Sequence, residues 1–506
     1  MKLAHARSVV VIVLLAGLSA AVAVAGQSGG GHALAVYGTP AAASGPGGLV
    51  SAAVGAHVSV TPKTPWKATR APLPAGARPG AYLSGVACPS VTVCVAAGTY
   101  TDSSGKIQGL LLTRHGPSWT PVKAPLPAGA ATTPGVGLSR VACPSVTVCV
   151  AAGAYTDSSG KIQGLLLTRH GASWKAAQAP LPAGASTSSG VSFSGLACPS
   201  TTVCVAVGYY LDSAGNEQGL LLTGQGSSWI AAHVPLPAGA ATSTEVPLSS
   251  VACLSAVACV VTGQDTGASG SSEGLLLTGL GSAWIAAQVP LPAGAGSSWV
   301  GLGGLACPSI TACVVAGGAI ARSSGIGQGL LLTGRRSSWT SVKAPLATGA
   351  YADVSLFDVA CPSVRVCVVA GDSTAGRSPH ALIQGLLLTG HGSSWTAVAA
   401  PTPAGRGGGS ASLDGMACAS ASACVVTGRY TDSSGAPQEM LLTGLESWKA
   451  ATAPLPADAA HPSHGPFPPG PDLPGVACPS VTICLAVGSY TDSSGGIQGL
   501  LLAGPP

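Results

Sequence analysis

Eight tandem repeats of about 55 residues, one Cys-x5-Cys pair in each, and a repeat cut at different points at its two ends predict an all-β fold. The architecture expected is an eight-bladed β-propeller of four-stranded antiparallel blades, closed by the N-terminal strand completing the C-terminal blade, with one intra-blade disulfide per blade. The first cysteines of the pairs are Cys88, Cys143, Cys198, Cys253, Cys307, Cys361, Cys418 and Cys478. Each is followed six positions on by its partner: Cys94, Cys149, Cys204, Cys259, Cys313, Cys367, Cys424 and Cys484.

From Leu83 one repeat reads LSGVACPSVTVCVAAGTYTDSSGKIQGLLLTRHGPSWTPVKAPLPAGA. Four β-prone runs, LSGVAC, VCVAAGTY, QGLLLT and SWTPVKAPL, are separated by Pro-Ser, Asp-Ser-Ser-Gly and a Gly-containing turn, which suit tight reversals. The unit is therefore a meander. The spacing of the cysteines places each pair opposite one another across the first hairpin, where a cross-strand pair is close enough for a disulfide. A staple on so short a loop contributes about 2 kcal/mol in the chain-entropy picture. The competing reading, free structural cysteines, predicts detectable thiols. Zinc is disfavoured, because no histidine lies within a few residues of these cysteines.

The phase of the repeat argues for closure. The array opens on Trp66 and APLPAGA, a lone fourth strand, and stops at QGLLLAGPP after a third strand, so that one blade is shared by both ends. Eight pairs and eight template tryptophans (Trp66, Trp119, Trp174, Trp229, Trp284, Trp339, Trp395 and Trp448) give eight blades. The Gly-Leu-Leu-Leu-Thr runs do not alternate, as expected of strands covered on both faces. The recurring Trp is read as inter-blade packing, and Pro-Leu-Pro as an edge that discourages pairing with other chains.

Composition fits such an array: 72 Gly and 40 Pro among 506 residues, with 4% aromatic and 8% charged side chains. The net charge of +5 comes from 22 basic and 17 acidic residues without any Lys/Arg run, which argues against a nucleic-acid partner. Lys2 and Arg7 precede an apolar stretch at 8–25 and then Gly26, a secretory pattern with small residues Ala23 and Ala25 before the cut. The expected organisation is a signal peptide at 1–25, with an uncleaved anchor as the alternative, a Gly/Ala/Ser-rich linker at 26–61 and the propeller at 62–506. Sixteen cysteines then belong to an oxidising, extracellular compartment, the chain being secreted or attached at the cell surface. A monomer without cofactor is expected, the membrane being reached only through an uncleaved N-terminal segment.

The strand ending in Val-Gly or Ala-Gly, followed by Gly-Leu-Leu-Leu-Thr-x-x-Gly-Ser-x-Trp, resembles secreted propellers of the bacterial neuraminidase-repeat (Asp-box) and photosystem-assembly-factor-like type over residues 62–506. The match is degenerate: the Asp-box aspartate is absent, and the turn carries His115, His170, Gln225, Leu280, Arg335, His391 or Leu445 instead. The resemblance implies fold, not activity.

Catalytic groups of the kind sialidases use, an arginine cluster, a Tyr with a carboxylate partner and an acidic general acid, are sparse. The glutamates are Glu217, Glu245, Glu273, Glu439 and Glu446. Asp102, Asp157, Asp212, Asp432 and Asp492 recur at one turn position, where Asx-turn capping accounts for them. The insertion HPSHGPFPPGPD from His461 offers too few ligands for a metal. No catalytic set and no metal site emerge.

Departures from the chain's own template point elsewhere. Blades four, five and six replace Tyr-x-Asp-Ser-x-Gly with GQDTGASGSSEG, GGAIARSSGIG and GDSTAGRSPHALI. The inter-blade loops of this sector add Trp299, Tyr351, Asp353, Phe357 and Asp358. With Arg322, Arg377 and His380 these form the candidate ligand face, and aromatic plus polar groups suit a glycan or a protein ligand. Unconstrained loop drift is the competing account. Arg140 and Asp358 share the position three before the first cysteine in opposed blades, which raises the idea of a channel mouth. Three functions are therefore carried forward: a non-catalytic binding or cell-envelope interaction module, a secreted glycoside hydrolase or lyase using Asp353 and Asp358, and a structural surface protein.

Overall fold

The computed structural model describes residues 65–186, 190–226, 228–240, 245–255, 257–267, 270–292, 297–309, 312–322, 324–335, 338–350, 353–375, 382–404, 406–445, 447–460 and 472–506. The signal peptide, the linker, Tyr351, Arg377, His380 and the insertion from His461 lie outside these residues.

Every element among the described residues is a β-strand or a turn. The first full repeat folds as the meander its turns dictate: Arg78–Ala87, Val93–Thr101, Ile107–His115 and Ser118–Lys123 pair antiparallel in sequence order. The same four-strand order recurs to the end of the chain. We number these blades 1 to 8 in chain order. Blades 4 and 5 are joined into one eight-stranded sheet by a single parallel bridge, Ser272 to Trp299. The sheet of blade 8, Asp472–Ser480, Ile483–Thr491 and Ile497–Gly504, takes its fourth strand from the other end of the chain. Lys67–Arg70 pairs antiparallel with Ile497–Gly504, Lys67 opposite Ala503 and Arg70 opposite Leu500.

The first strand of each blade contacts the first strands of both neighbours, blade 8 meeting blade 1 in the same way as the others meet. Fourth strands make their main contacts with their own third strands, so the first strands are innermost and the fourth outermost. Between consecutive blades lies an aliphatic seam. In the seam of blades 1 and 2, Leu111, Val95, Leu165 and Leu167 are fully buried, and Trp174 packs on its edge. All eight template tryptophans occupy the equivalent edge of a seam, Trp66 doing so between blades 7 and 8. The expectation of inter-blade packing for these rings is met, and it explains how a chain so poor in aromatics fills its core.

The third strand is buried on both faces: Leu110, Leu111 and Leu112 are each 0% exposed. Each such leucine contributes about 1.5–3 kcal/mol through burial. Their close fit requires the preceding glycine, since a Cβ on Gly109 would lie 2.7 Å from Ala124 Cβ and 3.0 Å from Val136 Cγ1.

The eight disulfides are those the spacing predicts, each within one blade, with Cα–Cα separations from 3.8 Å at Cys253–Cys259 to 4.1 Å at Cys88–Cys94. Cys253 faces Cys259, and Cys418 faces Cys424, directly across the first hairpin. No cysteine is free.

Two truncations test the role of the N-terminal strand. A chain beginning at residue 71 is expected to melt at a lower temperature than one beginning at residue 65, because only the former loses the fourth strand of blade 8 and Trp66. Equal melting temperatures would show that the strand adds nothing to the fold.

Candidate functional site

In blades 1, 2, 3, 7 and 8 the turn between strands two and three is organised by its aspartate. Asp102 Oδ1 accepts from the Ser104 and Lys106 amides at 2.9 and 3.0 Å and from Ser104 Oγ at 2.7 Å, while Oδ2 accepts from Gln108 Nε2 at 2.8 Å. Asp157, Asp212, Asp432 and Asp492 repeat the pattern. The Ser104 hydroxyl, then the Lys106 amide, hold the Asp102 carboxyl well below the usual carboxylate range. These aspartates are turn formers, as expected, and their donors come from the turn and from the start of the third strand.

The rim residues of blades 5 and 6 are brought near one another on the same face. Trp299 is 40% exposed. Arg322 Nη2 donates to the Ser297 carbonyl at 3.2 Å, two residues from Trp299. Asp353 Oδ1 accepts from the Gly327 amide at 3.1 Å, tying blade 6 to blade 5. Asp358 does not belong with them. It is 2% exposed, and its carboxylate accepts from the Val359 amide at 2.8 Å and from the Met416 amide of blade 7 at 3.0 Å. Buried in a seam and holding two amides, Asp358 is a structural staple rather than a ligand contact. The pairing of Asp353 with Asp358 as two catalytic acids loses its second member for the same reason.

The densest polar assembly lies further in, and the sequence reading did not connect it. In every blade the first strand carries a register shift just before the position three residues ahead of its first cysteine, as between Leu83 and Gly85. Such a bulge re-aims the side chain that it carries. In blades 1, 2 and 3 that residue is a serine bonding to the neighbouring blade: Ser84 to the Leu138 carbonyl, Ser139 to that of Phe193 and Ser194 to that of Leu248. In blade 7 it is Asp414.

Around Asp414 four blades contribute charged or hydrogen-bonding side chains. Arg429, on the second strand of blade 7, places Nε 3.4 Å from Asp414 Oδ2 and 3.7 Å from Glu439 Oε1, and Nη2 3.6 Å from Asp472 Oδ1 of blade 8. Tyr82 of blade 1 donates its hydroxyl to Asp472 Oδ2 at 2.8 Å. Asp372 of blade 6, at the strand position that Arg429 holds in blade 7, accepts from the Leu413 amide at 3.1 Å. Glu439 replaces the glycine that the other blades keep before Leu-Leu-Leu; it is 2% exposed, and neither carboxyl oxygen has a hydrogen-bond partner. Arg140 of blade 2 donates Nε to the Ser194 carbonyl at 2.7 Å and Nη1 to that of Ser139 at 2.9 Å. Arg140, like Asp358, is thus tied to the backbone of the adjoining blade.

Burial acts on several carboxyls of this assembly. Burial, then the neighbouring Asp414, pushes the Glu439 carboxyl well up, with Arg429 opposing. Burial lifts Asp372 to about 7, against the pull of the Leu413 amide. Asp414 is raised by burial, with Arg429 opposing it. The Tyr82 hydroxyl is raised by burial and by Asp472, and burial lowers Arg140 to about 10. Arg429 loses by burial but gains more from its three carboxylates, so it stays charged. The outcome is a patch with a proton donor at Tyr82, a carboxyl at Asp372 that changes charge near neutrality, and a half-exposed guanidinium. Such a patch can hydrogen-bond a ligand in both directions and exchange a proton with it.

A groove of about 570 Å³ opens elsewhere, between the outer strands of blades 6 and 7, lined by Val366, Thr389, Val398, Pro401, Leu445 and Trp448. It carries no titratable group and lies away from the inner assembly.

No family profile matches the chain, and no curated relative does. Among solved structures the chain is similar to the β-propeller domain of the Trilobed protease from Pyrococcus furiosus, at 9% identity over 73% of this chain and 97% of that one, TM-score 0.40. It is also similar to the GH93 alpha-L-arabinofuranosidase of Fusarium graminearum, at 9% identity over 61% and 91%, TM-score 0.35. A Hadza microbial sialidase matches at 13% identity over 63% and 66%, TM-score 0.33. At these identities the likeness concerns propeller architecture alone.

Two measurements follow. Replacing Asp358 with Ala strands two buried amides and is expected to cost about 2–3 kcal/mol in urea unfolding, with Asn milder; a loss under about 0.5 kcal/mol would contradict the staple. For Asp372, the folded state holds its proton up to about 7 against 3.8 for the free group, so stability falls as pH rises through that window. Asp372→Asn is expected to remove that share of the slope, and an unchanged slope would refute the assignment.

Proposed function

We propose that the protein is an exported, closed eight-bladed propeller that binds a polyhydroxylated ligand, a glycan, at the inner end of the face formed by the two-three and four-one loops. The observation that carries this is the convergence of Tyr82, Asp372, Asp414, Arg429 and Asp472 from four blades onto one end of the first strands. Mixed donors and acceptors, with carboxylates balanced in part by Arg429 and Arg140, suit a neutral polyol better than a polyanion. Trp299, exposed on the same face, offers a ring for a longer ligand. Ring closure is supported by the pairing of Lys67–Arg70 with Ile497–Gly504, and by a blade 8 to blade 1 seam built like the others. Export is supported by eight disulfides, and no helix among the described residues is long and apolar enough to cross a membrane. The repeats are read as divergent relatives of the Asp-box and assembly-factor-like type.

A second reading, glycoside hydrolysis, is favoured by one feature: a tyrosine held by a carboxylate beside an acid that titrates near neutrality. A glycan-binding screen on the exported protein, followed by calorimetry, separates the two. Tyr82→Phe and Asp472→Asn are each expected to weaken binding about tenfold or more, equivalent to about 1.4 kcal/mol, with melting temperature little changed. Unaltered affinity in both variants would remove this site, and absence of any saturable ligand would leave the structural surface protein. Turnover of a bound glycan, with a limb in its pH profile near 7 that Asp372→Asn abolishes, would establish the hydrolase.

A further inference from the structure

Blade 4 inverts the chemistry of the turn described above. In blade 1 the second strand carries Tyr100 near its end, Asp102 follows it in the turn, and Gln108 of the third strand donates to that aspartate. In blade 4 the corresponding residues are Asp265, Gly267 and Glu273. The backbone turn survives: the Gly267 amide donates to the Ser271 carbonyl at 2.9 Å, just as Asp102 does to Lys106. The carboxylate has changed strands. A Cβ on Gly267 would collide with Glu273 Oε1, so the Glu273 carboxylate fills the space in which the other blades keep their aspartate.

The tyrosine is lost in the same exchange. Tyr100 and Tyr155 are 4% and 1% exposed, and Asp265 takes their place at 2%. A smaller, charged side chain thus stands in a position built for a ring, directly opposite Glu273 in the ladder. Both Asp265 carboxyl oxygens are buried without a hydrogen-bond partner, and the charge that acts on them is that of Glu273, of the same sign. Two carboxylates facing each other across strands repel, and a buried orphan carboxylate is among the most costly arrangements a core can hold. Burial, with Glu273, lifts Asp265 to about 6.

We propose that Asp265 and Glu273 hold a calcium ion at the loop end of blade 4. The donor set is all oxygen and anionic, which selects a hard divalent cation. With only two carboxylates fixed by the strands, calcium, which accepts varied coordination, fits better than magnesium, which demands a regular octahedron. Groups of three or more metal-ligating side chains are absent among the described residues, so the pair supplies few of the ligands, and the affinity falls in the weak range of about 10⁻⁴–10⁻³ M that extracellular modules use.

The experiment uses the full exported chain, freed of metal with chelator, in thermal melts with calcium or magnesium and in terbium luminescence excited through tryptophan. Trp299 is the local antenna: Ser272, next to Glu273, bridges to it, and its ring approaches Gly301 beside Gln264, the neighbour of Asp265. Calcium is expected to raise the melting temperature by about 2–4 °C and to displace terbium, with magnesium weaker. Asp265→Asn and Glu273→Gln, the latter restoring the residue of other blades, should abolish both responses, and Asp265→Asn should melt higher than wild type without metal. Trp299→Phe should dim terbium while keeping the calcium shift. The proposal is overturned if calcium shifts wild type and Asp265→Asn equally, or if wild type ignores calcium and gains stability only as pH falls through about 6, which would mean that the pair shares a proton.

Discussion

Backbone pressed on backbone is the contact from which the rest of the blade follows. Where the first strand bulges, the strand behind it carries glycine: a Cβ on Gly98, Gly153, Gly208, Gly428 or Gly488 would run into the carbonyl of Tyr82, Gly137, Ser192, Ser412 or Asp472. Only a residue without a side chain lets the two strands approach so closely. The bulge this permits carries the inner serines that tie blades 1, 2 and 3 to their neighbours, and in blade 7 it carries Asp414. Seam, inner rim and polar assembly thus share one origin. The disulfides sit a few residues beyond, fixing the hairpin whose register that glycine sets.

Much of the fold was legible because repetition converts one weak signal into eight concordant ones. The cysteine spacing gave the pairing, the turn residues gave the strand order, and the doubly buried leucines gave the seams. The candidate site was less legible for a physical reason. Asp372, Arg429 and Glu439 sit inside strands, at positions where other blades carry small or neutral residues, whereas loops draw the eye because there both length and composition change. Asp358 shows the converse error: it departs from the template as a ligand contact would, yet its departure serves two amides in a seam. A comparison of the chain with itself along the second and third strands carries the missing signal, since Asp372 or Arg429 after the close-approach glycine and Glu439 for glycine stand out once those columns are aligned.

The two sectors of departure differ in kind. In blades 4 to 6 the tyrosine of the second strand is replaced by Asp265, Ala319 and Ser373, all buried, so the change reaches beneath the loops into the seams. In blades 7 and 8 the tyrosines Tyr430 and Tyr490 remain, and the novelty lies toward the centre. Polar groups that a core ordinarily excludes have been admitted in both, in one case around an arginine and in the other around nothing but a second carboxylate.

The hydrogen bond from Tyr82 to Asp472 joins the first blade made to the last. During synthesis Tyr82 leaves the ribosome hundreds of residues before its partner, so the inner assembly cannot exist in a nascent chain, however well its early blades have folded. A product truncated before blade 8, although rich in correctly stapled blades, lacks Asp472 and with it the glycan site proposed above. The same bond forms only where blade 1 and blade 8 have met.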